Sequence, residues 1–197
     1  RGAGRRPGGA GPRGLGPRTV TGTPSGAADV LAVTPLTGTL DAVVRPPGSK
    51  SITNRALVCA ALAVGDSELS GALFADDTEA MLTCLHELGI GLHLDRDAPA
   101  VRVVGSGGVP PADGAVLDAR LSGTTSRFLL PVAALGRGTM VLDGAGPLRE
   151  RPMSDLLDAL GVLGADVEPL GEPGHLPVEL DAAGLDGGTV QVRGDVS

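Results

Sequence analysis

The amino-acid sequence predicts an α/β fold built from copies of a βαβαββ-like unit. The first observation is an internal repeat: Arg55 corresponds to Arg127, Met81 to Leu156 and Gly89 to Gly164, at offsets of 72 to 75 residues. The second is that each copy carries apolar residues first at helical spacing and then, past a glycine, in alternating or β-rich stretches. The third is composition. With 42% hydrophobic residues the 197-residue chain can bury a sizeable core, but two phenylalanines and no tyrosine or tryptophan require that core to be aliphatic.

Residues 1–29, dominated by Gly, Pro and Arg, have no hydrophobic period and are expected to be a flexible tail. A basic, acid-poor start also suggests a transit peptide, but a single serine and no amphipathic pattern favour the tail. The sequence opens without methionine, so its numbering is expected to begin inside a longer product.

The first unit is assigned to residues 48–115. Ile52, Ala56, Leu57 and Ala60 in "SKSITNRALVCAALAV" predict a helix stopped near Gly65. A strand follows, then a second helix over "DDTEAMLTCLHELG", capped by Asp76, Asp77 and Thr78 and ended by Gly89, then strands through "GLHL" and "VRVVG". The second unit is assigned to 116–197. It repeats the order with a helix over "SGTTSRFLLPVAALG" stopped near Gly136, a strand at "GTMVLDG", a helix with Pro152 in its first turn and Gly164 past its end, and strands ending in "LPVEL". The chain stops at "VRGDVS" in what is expected to be mid-element.

The net charge of −7 is unevenly spread. Residues 1–29 carry five Arg and one Asp, whereas 30–197 carry eleven basic and twenty-two acidic groups. An acidic body does not hold nucleic acid by bulk electrostatics, and two phenylalanines offer almost nothing for base stacking. An anion would have to be held by a few placed cations. Cys59 and Cys84 lie in helical patterns away from metal-ligand spacing, so both are expected to be small buried side chains in a reducing compartment, with neither disulfide nor metal site. The longest apolar run, "ALVCAALAV", is about half of a membrane span, so a soluble, cytoplasmic protein is expected.

Lys50 is the only lysine, against fifteen arginines, and it sits in "PPGSKSITNR". At a helix start Gly48, Ser49, Lys50 and Ser51 offer free backbone N–H groups, hydroxyls and a cation to one point, as phosphate and carboxylate sites do; Arg55 lies one turn further on the same face as Ser51. An ordinary cap with a solvated lysine accounts for this segment equally well. The second copy favours the anion site: "SGTTSR" places Gly123, Thr124 and Arg127 at another helix start, and an arginine inside an otherwise apolar helix requires an anionic partner. A structural carboxylate is the alternative partner, for Arg127 more than for Arg55. In "LRERPM", Arg149 reads as a loop salt bridge and Arg151, pinned by Pro152, as a ligand contact. Asp76 and Asp77 read as helix-start charges rather than acids, and His86, His93 and His175 receive no role.

Taken together, "PGSKSITNRALVCAALA", "DDTEAMLTCLHELG", "SGTTSRFLL" and "RERPMSDLLDALGVLGADV" resemble the first half of the 5-enolpyruvylshikimate-3-phosphate synthase family, from about residue 33 to 197. The resemblance implies the enolpyruvyl transferase fold, an inside-out α/β barrel of two lobes with three βαβαββ units each. Residues 30–47 would then be a lead-in strand and crossing between lobes, and the present chain an incomplete lobe, inactive alone. It implies transfer of the enolpyruvyl group from phosphoenolpyruvate to the 5-hydroxyl of shikimate 3-phosphate, without metal or cofactor, by a protein that is monomeric at full length and has no nucleic-acid or membrane partner.

The resemblance places Lys50, Ser51 and Arg55 at shikimate 3-phosphate, with Lys50 also beside phosphoenolpyruvate as an electrostatic contributor rather than a proton-transfer group. It gives Gly123 and Arg151 to phosphoenolpyruvate and makes Ser197 the first serine of a Ser-Ser-Gln phosphate grip, while the helix start in "SGTTSR" adds Thr124 and Arg127 to the binding set. Two positions depart from the family: Leu121-Ser122-Gly123 replaces the frequent Asn-Ala-Gly, and Phe128 stands where some relatives carry proline, which bears on glyphosate sensitivity. The sister transferase acting on UDP-N-acetylglucosamine is the nearest alternative; it typically has Lys-Asn at Lys50-Ser51 and a reactive loop cysteine, whereas no cysteine follows Cys84. A non-catalytic anion-binding domain of the same fold is the other.

Overall fold

The structure, a computed structural model, describes residues 35, 37–39 and 41–192. Helices α1 (Lys50–Leu62), α2 (Asp76–Glu87), α3 (Gly123–Ala134), α4 (Gly146–Arg149) and α5 (Ser154–Val162) alternate with strands β1 (Val64–Ser70), β2 (Gly91–Asp95), β3 (Ala100–Ser106), β4 (Asp113–Asp118), β5 (Arg137–Asp143), β6 (Asp166–Pro169) and β7 (Val178–Ala182). The expected tail and Ser197 lie outside the described residues. So does part of the expected lead-in strand, and residues 35, 37–39 and 41–49 carry neither helix nor strand.

The two copies are visible as two sheets. The first has strand order β1-β3-β2, all antiparallel; the second has β4-β5-β7-β6, in which β5, β7 and β6 repeat that order and β4 adds a strand parallel to β5. The β4-α3-β5 crossover supplies the parallel pair that a βαβ connection makes. Because β4 begins at Asp113, the division expected between 115 and 116 falls inside a strand.

Each sheet turns alternate residues toward the helices. Val101 and Val103 of β3, Met140 and Leu142 of β5, and Val178 and Leu180 of β7 are buried, whereas Arg102 points outward. Against them pack Leu57, Ala60 and Ala61 of α1, Met81, Cys84 and Leu85 of α2, and Leu129, Leu130 and Ala133 of α3. These three helices also touch one another, so the first helices of both copies form the shared interior. No helix among the described residues is long and apolar enough to cross a membrane.

Several local expectations are corrected. The buried face of α1 runs through Thr53, Asn54, Leu57, Ala60 and Ala61, which leaves Ile52 outside at 70% exposure. Cys59 is exposed on the same helix, while Cys84 is buried, donates to the Asp118 carbonyl, and has its thiol pushed up to about 12 chiefly by burial. Helix α1 ends before Gly65, which instead lies within β1. Pro152 precedes the start of α5 by two residues rather than occupying its first turn; the Met153 N–H that follows bonds to the Gly174 carbonyl, which holds the chain off the helix path.

The buried polar side chains among the described residues are Thr53, Asn54, Thr78, Ser122, Thr125 and Ser126. All but Asn54 belong to the first turns of α1, α2 and α3 or to a cap; Asn54 lies in the second turn of α1, and its amide has no hydrogen-bond partner among the described residues. Helix amino ends have backbone N–H groups without helical partners, so hydroxyls there can be buried and still be bonded.

Candidate active site

Two caps fix the site. Ser49 caps α1 by accepting from the Ile52 N–H at 3.4 Å, and Ser122 caps α3 by accepting from Thr125 N–H at 3.2 Å. The second helix is tied in as well: the Thr78 hydroxyl accepts from the Ala75 N–H at 2.8 Å, and the Thr125 hydroxyl donates to the Asp77 carbonyl at 3.2 Å, linking α2 to α3.

These tips surround a cavity of about 760 Å³. Lys50 and Arg55 reach it from the first copy, Gly123, Thr124 and Arg127 from the second, and Arg151 and Pro152 from the loop before α5. Six of the eight residues expected at a binding site therefore converge. Ser51 joins through Arg55, whose guanidinium donates to its hydroxyl and, at 3.1 Å, to its carbonyl.

Four cations thus line one hollow with a single carboxylate, Asp77. Asp77 bonds to Lys50 Nζ at 2.9 Å, a role that reading it as a helix-start charge missed; nothing in local spacing links residues 27 apart. Burial raises the Asp77 carboxyl, but hydrogen bonds from Lys50 and Ser122 and the charges of Lys50 and Arg151 outweigh it, so the group is held below its ordinary value. Phe128, which in sequence is only a departure from relatives, has its ring centroid 5.3 Å from the Arg55 guanidinium carbon.

The arginines divide by partner. Arg149 forks onto Asp143 at 2.6 and 2.8 Å, the structural loop pair expected of it. Arg127 donates to the Gly123 and Pro152 carbonyls at 3.3 and 2.9 Å, so backbone rather than a carboxylate holds it. Neither Arg55, Arg127 nor Arg151 makes an ion pair among the described residues. Gly123 matters sterically: a Cβ there would come within 3.0 Å of Arg151 and 3.1 Å of Arg127, so glycine lets both guanidinium groups close over the α3 tip.

The carboxyls predict acid lability. Asp77 and Asp143 are both held below the ordinary carboxylate value, so their contribution to stability is complete above about pH 5 and is lost as pH falls through their lowered native values. The thermal midpoint, followed by far-UV circular dichroism, is expected to be flat from about pH 7 to 5 and to drop below about pH 4. Asp77→Asn and Asp143→Asn should each flatten that drop; an unchanged acid slope in both counts against the assignment.

The repeated α/β unit, with a leading strand in the second copy, and a cation-lined hollow between amino-terminal helix tips define an α/β repeat domain. Comparison with known proteins is specific. Residues 35–197 match the family model for EPSP synthase (3-phosphoshikimate 1-carboxyvinyltransferase), and the chain belongs to that family. It is 45% identical over 160 residues to a 3-phosphoshikimate 1-carboxyvinyltransferase of Nostoc punctiforme, covering 81% of this chain and 38% of that protein. A relative of the same name from Shewanella loihica is 43% identical over 155 residues, covering 78% and 36%. Among solved structures, EPSP synthase from Acinetobacter baumannii shares the fold with a TM-score of 0.63 at 28% identity, over 70% of this chain and 31% of that one. The chain thus spans well under half the length of these relatives.

Proposed function

We propose that this chain forms one wall of an enzyme that transfers the enolpyruvyl group of phosphoenolpyruvate to the 5-hydroxyl of shikimate 3-phosphate, releasing phosphate. The observation that carries this reading is the convergence of Lys50, Arg55, Arg127 and Arg151 on one cavity at two helix amino ends. Both substrates are polyanions that repel each other, and holding them in contact requires cations on several sides. Arg55 and Arg151 offer planar forks for phosphate and carboxylate oxygens, while the compact ammonium of Lys50 fits between two ligands. Asp77, held ionised by Lys50, orients that ammonium and is a poor proton donor. The chain's part is binding and electrostatics; proton transfer is not assigned to it.

The test is calorimetric titration of this chain with shikimate 3-phosphate and with shikimate. Binding is expected for the phosphorylated compound alone, weakening as salt is raised because partly exposed charges are screened. Equal binding of both compounds, or of neither, overturns the reading.

A further inference from the structure

Arg55 is a cation of the cavity that its own copy holds only through one neighbouring residue. Its polar contacts are to Ser51, one turn back on the same helix, and among the described residues it has no carboxylate partner. What reaches it from elsewhere is the phenyl ring of Phe128, whose centroid lies 5.3 Å from the guanidinium carbon, within cation–π range. The repeat makes this contact asymmetric. Arg55 corresponds to Arg127, so the residue after each, Ala56 in the first copy and Phe128 in the second, should be equivalent; only the second is aromatic. Arg127, by contrast, is held by two backbone carbonyls and needs no such ring.

The placement has a second consequence. Beside the cationic cavity runs an apolar groove of about 510 Å³, lined by Val58, Cys59, Leu62 and Pro131 among others. Arg55 and Phe128 line both hollows, so the stacked pair is the partition between them. The chain's other phenylalanine, Phe74, also lies under an arginine, Arg96, at 4.8 Å, but there Glu79 fixes the guanidinium with a two-pronged bond. At Arg55 the ring is present without a carboxylate, and Ser51 accepts the guanidinium's hydrogen bonds, so the charge is not neutralised.

We propose that Phe128 is a positioning residue: its π face holds the Arg55 guanidinium on the cavity side of the partition, charged and free of a carboxylate, so that a phosphate-bearing ligand meets it already oriented. The inference rests on the anion-binding reading above and assigns a positioning role to a side chain that itself carries no group to bind an anion.

The experiment compares wild type, Phe128→Leu and Phe128→Tyr in this chain, with Phe128→Met as a second apolar replacement should leucine lower the thermal midpoint. Dissociation constants for inorganic phosphate and for shikimate 3-phosphate are read by phosphorus NMR, and the Arg55 side-chain N–H resonance reports the ring current. Loss of an exposed cation–π contact is expected to weaken both ligands about two- to five-fold in the apolar variants and to move the Arg55 resonance, while tyrosine restores both. Wild-type affinity in the leucine and methionine variants overturns the proposal and leaves the functional reading intact. Weakened binding with an unmoved Arg55 resonance, or with no rescue by tyrosine, also overturns it, since the ring then acts by packing. Failure of wild type to bind either ligand overturns the functional reading and this proposal with it.

Discussion

Replacing Lys50 with methionine is expected to lower turnover roughly 30- to 150-fold in a protein of the relatives' length that carries this chain, with matching loss of shikimate 3-phosphate affinity in the chain itself. The figure follows from removing a charged hydrogen-bond donor, about 2 to 3 kcal/mol, at about 1.4 kcal/mol per factor of ten. Methionine keeps the stem length, so packing changes little. What it leaves behind is Asp77, which sits 2.9 Å from Lys50 and would become an unpaired carboxylate inside an anion pocket. Part of the loss is therefore repulsion, and Asp77→Asn added to Lys50→Met should recover some of the binding. A double-mutant cycle measures that part. Near-normal turnover in Lys50→Met refutes the role of the ammonium.

The second large effect is expected at Gly48, which does not line the cavity. A Cβ built there would lie 2.4 Å from the Gly71 carbonyl oxygen and 3.0 Å from the Leu73 nitrogen, both backbone atoms that cannot rotate away. The segment entering α1 is laid directly on the connection between β1 and α2, and the Thr53 hydroxyl, accepting from the Leu73 N–H at 3.1 Å, locks the same contact one turn later. Gly48→Ala must lift the α1 tip. Overpacking of this kind costs about 1 to 3 kcal/mol, and a displacement of about 1 Å at a binding group can cost on the order of 100-fold in rate. The expected result is a lowered thermal midpoint together with a loss of phosphate affinity larger than the stability change explains. An alanine variant with wild-type midpoint and affinity would show that the tip has room.

The candidate site was legible where chemistry and local sequence coincide. Ser49, Lys50, Gly123 and Arg127 announce themselves because a cap, a hydroxyl and a cation at a helix start leave a signature within a few residues, and the repeat doubles it. Arg149 forks onto Asp143, the loop salt bridge its sequence suggests, whereas Arg151, its backbone restricted by the following proline, lines the cavity. Asp77 and Phe128 were not legible. Their partners, Lys50 and Arg55, belong to other helices, and no period within a segment encodes a contact between segments.

The same division holds for the fold. By itself the sequence determined the order of elements, the aliphatic core and the duplication, since these follow from short-range spacing of apolar residues and glycines. Tertiary structure decided which face of α1 is buried, so that Ile52 and Cys59 lie outside, and which strand is added to the second sheet. It also decided that the helix tips of two copies share one hollow. Helical periodicity defines a stripe on each helix, but the angle at which stripes meet is set by packing between helices, and only that angle brings charges from separate segments together.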